Sequence, residues 1–411
     1  MNLELFIAAR LLRGKEKSSV SVPIVKIAVV GIALGVCVML ISIFVITGFK
    51  QEITTKLSGF MAHIDVTSYG KDQDLSGAGM IASDTLLLKI RELEEVKQVY
   101  PYVSKPAILK SKTEVHGVML KGIDSVYDAT FYQNYLKEGT LPNFTTNRAS
   151  NEILLSSSVA TLLSIEVGDK LNAHFVQDPP RVRPFVVQGI YDTGFKEYDD
   201  LVVLCDMRHL QRLNAWEDNQ VTGVAVELFS LEMIPKLRVD IDDVLYFHDQ
   251  DSFNRITTLE TAAPQIFDWL NLLNMNVVIL LSLIIIVSGF NMVSGLLILI
   301  LDKTGMIGIM KALGCKNISL KKLFLYIAIG LIAKGILVGN ILAFVFGGLQ
   351  YFFQIIRLDP ATYYMDTVPI HFDLTYVLLL NVGVLLVSVL MLVVPTILIS
   401  KISPIKAIRF E

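Results

Sequence analysis

The residue types that carry hydrolytic or metal chemistry are present in this chain but are not arranged for it. His63, His116, His174, His209 and His248 are scattered. No HExxH pair sets two imidazoles on one helix face around a zinc ion, and no GxSxG elbow presents a serine nucleophile. Cys37, Cys205 and Cys315 lie far apart with no CxxC, so they offer neither a thiolate cage nor a disulfide framework. No GxxxxGK[ST] loop occurs, so the chain has no P-loop of its own for ATP, and any nucleotide energy must come from a partner. With 36 basic against 39 acidic residues there is no basic footprint for nucleic acid. The expectation is a protein without catalytic residues, metal ligands or a bound cofactor.

The elements that hold these residues explain the pattern. The chain is 53% hydrophobic and 18% charged, with a mean hydropathy of +0.56, too apolar for a soluble protein of 411 residues. A hydrocarbon core about 30 Å thick needs roughly 20 apolar residues in a helix. Four runs qualify, at 24–49, 269–301, 323–356 and 374–400, the third interrupted by Lys334 and the fourth carrying Pro395, which should kink or loosen its last turns. The expected fold class is an α-helical membrane protein: four transmembrane helices with a large α+β extracytoplasmic domain, 50–268, between the first two. Residues 1–23 read as a cytoplasmic interfacial helix, 302–322 as a cytoplasmic loop, 357–373 as a periplasmic loop and 401–411 as a cytoplasmic tail.

Orientation follows from the positive charges. Arg10, Arg13, Lys15, Lys17 and Lys26 precede the first span, and Lys303, Lys311, Lys316, Lys321 and Lys322 join the second to the third. Lys401, Lys406 and Arg409 follow the fourth, whereas 357–373 holds one basic residue and three aspartates. The positive-inside rule then puts both termini in the cytoplasm of a multi-pass inner-membrane protein. Between residues 60 and 268, short apolar runs such as AHIDVTS, NEILLS, LVVLCD and VTGVAVELF alternate with turn residues and read as strands. Helices are expected at Ser83 to Glu95 and Asp206 to Leu213.

The opening FIAARLLRGKEKSSVS with GIALGVCVMLISIFVITGFKQEITTKLSGFMAHIDV, then NEILLSSSVATLLSIEVGDKL, GIYDTGFKEYDDLVVLCDMRHLQRL, LILILDKTGMIGIMKALGCKNISLKKLFLY and the ending ISPIKAIRFE, resemble lipoprotein-releasing system permeases of the FtsX/MacB-like ABC type. The resemblance covers essentially the whole chain. It implies a permease subunit that extracts lipoproteins from the outer leaflet of the inner membrane. It implies a cytoplasmic ABC ATPase as partner, carrying the ATP and Mg, a second permease subunit, identical or related, and a periplasmic carrier. A MacB-like efflux permease for another periplasmic substrate and an FtsX-like regulator of a cell-wall hydrolase are the second and third readings.

Four groups of residues carry these expectations. Met306, Ile309, Met310 and Leu313 recur at helical spacing in the 302–322 loop and form the candidate helix that couples to the ATPase. Many relatives have an Arg-Glu pair at this point, whereas Gly305 and Met306 stand here. Gly31 and Gly35 in the first span, and Gly335 and Gly339 in the third, are small-xxx-small pairs that let another helix approach. Pro179, Pro180, Arg181 and Arg183 stiffen and charge the loop 177–184, a candidate periplasmic docking loop, shorter than the protrusion one permease of the lipoprotein-releasing type carries there. Lys334 is an intramembrane charge, read as structural or interfacial.

Overall fold

A computed structural model describes residues 3–13, 21–68, 79–112, 114–145, 148–248 and 254–401. Lys15, Lys17, Lys406 and Arg409 of the charge argument lie outside them. The helices in chain order are α1 (Leu3–Arg13), α2 (Ser21–Met61), α3 (Asp84–Arg91), α4 (Thr130–Asn134), α5 (Ser157–Leu163), α6 (Lys196–Asp199), α7 (Met207–Asn214), α8 (Ile234–His248), α9 (Leu259–Ala262), α10 (Pro264–Asp302), α11 (Thr304–Ala312), α12 (Asn317–Phe353), α13 (Pro360–Tyr363) and α14 (Leu374–Lys401). The chain divides into a helical unit, Met1–Gln51 with Trp269–Ile356 and Thr367–Glu411, and an α/β unit, Glu52–Asp268 with Arg357–Asp366.

In the helical unit α2, α10, α12 and α14 are long and apolar enough to cross a membrane. Small residues set their spacing. A Cβ on Gly35 would meet Ser288 Oγ at 2.6 Å on α10, and one on Gly339 would meet the Ala33 carbonyl oxygen at 2.6 Å on α2. Asn340 and Asn381 exchange amide hydrogen bonds of 3.0 and 3.1 Å between α12 and α14, satisfying two polar groups that lipid cannot. Phe44, Phe344 and Phe372 pack ring against ring with centroids 4.9 to 5.7 Å apart. Helix α1 packs against α12 with Ala8 buried, so it belongs to the bundle.

The α/β unit is built on strands β1 (Ile64–Ser68), β2 (Met80–Ile81), β3 (Val96–Lys110), β4 (Val115–Ile123), β5 (Leu136–Gly139), β6 (Glu152–Ser156), β7 (Lys170–Phe175), β8 (Arg181–Tyr191), β9 (Val202–Asp206), β10 (Gln220–Val221), β11 (Gly223–Leu228) and β12 (Asn254–Thr258). Its main sheet has the order β12-β1-β11-β3-β4-β9-β6-β8-β5, with β7 pairing β3 and β8. The pairs β4 with β9 and β6 with β8 are parallel, the others antiparallel. Alternating residues such as Val103, Leu109, Leu120 and Val187 are fully or almost fully buried in one core cluster with Leu86 and Ile90 of α3 and Leu237 and Ile241 of α8.

Several boundaries differ from the sequence reading, each for a local reason. The first long helix does not stop at residue 49. KQEITTKLS after Gly48 contains no helix breaker, and Ile53, Leu57 and Phe60 continue a buried stripe, so α2 runs to Met61. It closes at Ala62, which takes a left-handed φ of 65° and donates its N–H to Ser58 O. Helix α10 starts at Pro264 rather than 269, because proline suits a helix's first turn. Within the 302–322 segment the expected helix is α11, and α12 begins at Asn317 rather than 323. Helix α12 ends at Phe353, not 356, since Gln354 adopts φ 47°. The helix expected over Ser83 to Glu95 is α3, capped by the Ser83 hydroxyl, and ends by Glu92.

Candidate functional site

The α/β unit begins with the last residues of α2, and buried polar and aromatic groups grip this helix end. Phe60 is 4% exposed and meets the rings of Phe131, Tyr132, Tyr191, Phe195 and Tyr198, stacking on Tyr198 at 5.3 Å. Gly59 permits this: a Cβ there would sit 2.4 Å from the Phe131 ring. One turn earlier the buried Lys56 ammonium donates to the Tyr364 carbonyl at 3.1 Å and lies 3.6 Å from Glu52, which also accepts from Tyr135. Tyr364 packs its ring on Phe195 at 4.8 Å, which fastens the 357–366 segment to the same place.

Lys121, on β4 and 8% exposed, donates to the Phe60 carbonyl at 2.7 Å. A cation at the carbonyl end of a helix is favoured by the helix dipole. The ammonium also lies 5.6 and 5.7 Å over the rings of Tyr100 and Tyr102. Tyr102 in turn donates to Asp65 Oδ2 at 2.8 Å. Burial pushes Lys121 down to about 8, opposed by Asp65 and Glu227. Burial pushes Asp65 up to about 6, opposed by Tyr102 and Lys121. His63 just beyond accepts the Leu228 N–H on Nδ1 at 3.1 Å, which requires neutral imidazole there. Burial and Lys97 hold it at about 4.

These shifts make a pH prediction. Asp65 ordinarily titrates near 3.8. Between that value and about 6 the native state binds a proton the unfolded chain does not, so acidification favours the fold through this group, and above about 6 the buried charge costs in full. Asp65→Asn removes the titration. Its stability relative to the parent is expected to rise as pH increases from 4 to 6. His63 titrates alike in both proteins and cancels in the difference. Denaturant midpoints of the two proteins at pH 4.5 and 7.5 check this, and a constant or falling difference contradicts it.

The sequence-expected residues fall into separate places. Met306 and Met310 are partly buried against the core of the helical unit, around the fully buried Ile307, while Ile309 and Leu313, 56% and 83% exposed, form the open face of α11 and the turn after it. Both glycine pairs are used inside the chain: Gly31 and Gly35 face Asn291 and Ser288 of α10, and Gly335 and Gly339 face Ile32 and Ala33 of α2. Pro179 and Pro180 are exposed at the β7–β8 tip, but Arg181 and Arg183 already belong to β8, paired with Phe175 and Ala173, so the free loop is shorter than 177–184. Lys334 is exposed on α12 and has no hydrogen-bond or ion-pair partner among the described residues.

His116 and His209 bond the carbonyls of Asp200 and Ser150, which gives them structural roles. Among the described residues no cluster of three histidine, cysteine, aspartate or glutamate side chains is placed to hold a metal ion. The Asp65, Tyr102 and Lys121 network, with Phe60 O of α2, had no recognisable spacing in the sequence, because its members come from β1, β3, β4 and the end of α2. The nearest signal was a lysine in the apolar strand VHGVMLKG.

Residues 27–244 match the family model of a MacB-like periplasmic core domain, and residues 278–404 match that of an FtsX-like permease C-terminal region. The lipoprotein-releasing system transmembrane protein LolC of Neisseria meningitidis is 26% identical over 437 residues, covering 100% of both chains. LolE of Haemophilus influenzae is 24% identical over 428 residues, covering 98% of each. Among solved structures, the periplasmic region of MacB from Actinobacillus actinomycetemcomitans matches with a TM-score of 0.37 at 14% identity, covering 51% of this chain and 95% of that one. The extracellular domain of the ABC-type transporter YknZ matches with a TM-score of 0.36 at 15% identity, covering 47% of this chain and 99% of that one.

Proposed function

Because the chain belongs to the family that joins a MacB-like periplasmic core domain to an FtsX-like permease C-terminal region, we propose that it is the permease subunit of a lipoprotein-releasing ABC transporter. In this reading both termini are cytoplasmic and the α/β unit is periplasmic. A cytoplasmic ATPase holds the ATP and Mg, and a second permease, identical or related, completes the membrane assembly. ATP-driven motion reaches the periplasmic domain through α2 and serves to extract lipoproteins from the outer leaflet. The observation that carries the proposal is the end-to-end similarity to relatives named for lipoprotein release. The anchoring of α2 by Lys56, Phe60 and Lys121 supports the transmission step, since a helix held by buried polar and aromatic contacts passes displacement on without slack. The short β7–β8 tip favours the second reading, a MacB-like efflux permease, and lipoprotein localisation after depletion separates the two.

The exposed face of α11 is where the ATPase is expected to dock. Ile309→Asp and Leu313→Asp each put a carboxylate into that apolar surface, at a cost of a few kcal/mol if it is covered. They should leave the thermal unfolding of the permease unchanged and lower the co-purified ATPase about tenfold or more. Met306→Asp is a poorer probe because Met306 packs inward. Normal ATPase association and ATP-dependent lipoprotein release in both variants would disprove the docking assignment.

A further inference from the structure

A cavity of roughly 290 Å³ lies within the α/β unit beside the end of α2. Phe60, Met119 and Leu201 give it apolar walls, and Asp65, Tyr102 and Lys121 a polar side. The polar groups are largely committed. Tyr102 donates its O–H to Asp65 Oδ2, and Lys121 donates to Phe60 O. Among the acceptors that remain, Asp65 Oδ1 is buried and has no hydrogen-bond partner among the described residues. A buried acceptor left so carries an uncompensated desolvation cost, which a ligand donor would recover. The terminal torsion of an aspartate is soft, so a small rotation presents this oxygen to the cavity.

Charge and volume narrow the ligand. A cation entering here meets Lys121 and an anion meets Asp65, so a neutral group is favoured over either. The space equals about ten waters at their bulk volume of ~30 Å³, enough for one bicyclic aromatic ring. The walls offer an aromatic face and a thioether, both good partners for such a ring. We propose that this cavity binds a neutral aromatic group carrying one N–H or O–H donor, of the indole or phenol class, which donates to the Asp65 carboxylate and packs its ring on Phe60 and Met119. Phe60 lies in the last turn of α2, so the bound ring rests directly on the helix end. The group is either the side chain of a peptide segment or a free aromatic compound.

The test uses the full chain in lipid nanodiscs and saturation-transfer NMR with three probes: indole, 1-methylindole, and a blocked glycyl-tryptophyl-glycine. Two variants fill the cavity, Met119→Trp from its wall and Leu201→Trp from a residue 44% exposed, where folding is not at risk. Probe dissolved in lipid is common to all proteins and drops out of the difference. Indole is expected to bind saturably, at least tenfold more tightly than 1-methylindole, and to lose its signal in both variants. A tripeptide that binds as tightly as indole or better identifies a peptide side chain as the occupant, and one that binds more weakly identifies a free aromatic compound. Equal binding of indole and 1-methylindole overturns the proposal, as does a signal unchanged in both tryptophan variants.

Discussion

Replacing Lys121 with methionine is expected to destabilise the α/β unit by about 3–5 kcal/mol, the cost of breaking a buried ionic arrangement by removing one partner. Methionine fills a similar volume, so the loss is polar. The Phe60 carbonyl forfeits its 2.7 Å donor, and Asp65 and Glu227 forfeit the cation that offsets their burial. A second substitution identifies the cause. If the uncompensated acid is responsible, Lys121→Met with Asp65→Asn should be less destabilised than Lys121→Met alone. Thermal unfolding of the four proteins of this cycle provides the measurement. A loss under 1 kcal/mol in the single variant would show that the ammonium contributes little to holding the helix end.

The second large effect is expected at Gly339. A Cβ there would lie 2.6 Å from the Ala33 carbonyl oxygen and 2.8 Å from Val36 Cβ, so backbone as well as side chain must move. Gly339→Val should push α12 away from α2 and cost about 1–3 kcal/mol or more, as overpacking does. Gly348 on the same helix meets nothing within 4 Å, and Gly348→Val should be close to neutral, which makes it the control for helix propensity and insertion. Yield and melting temperature in a mild detergent distinguish them. Equal behaviour of the two variants would mean that the approach of α12 to α2 is not tight.

The four spans and most strands were legible because hydropathy and alternation are local properties. NEILLS became β6 and LVVLCD became β9, each nearly wholly buried. What hydropathy could not give was where the helices end, since a helix entering a soluble domain changes its partners without changing its backbone. Ile53, Leu57 and Phe60 keep the helical spacing beyond Lys50, and that spacing was the missed signal. The candidate site was less legible still. Asp65, Tyr102 and Lys121 meet only because β1 lies next to β11, β11 next to β3, and β3 next to β4, an order no window of sequence displays. The face of α11 was half legible. Periodicity marked the segment as helical, but only packing separates Ile309 and Leu313 from Met306 and Met310.

The place of β1 in the sheet has a consequence for how the protein is made. Its two neighbours, β11 and β12, are encoded some 160 and 190 residues later, with Ile64 paired to Val226 and Thr258. At about 5–20 residues per second, the ribosome needs roughly 10–40 seconds to supply both edges. Until β11 emerges Ile64 and Val66, fully buried in the finished fold, have no strand to pair with, and the second edge of β1 stays open until β12 follows. The nascent chain therefore carries an unpaired apolar edge, a hazard for aggregation, and its biogenesis should depend on a holding chaperone until β12 emerges.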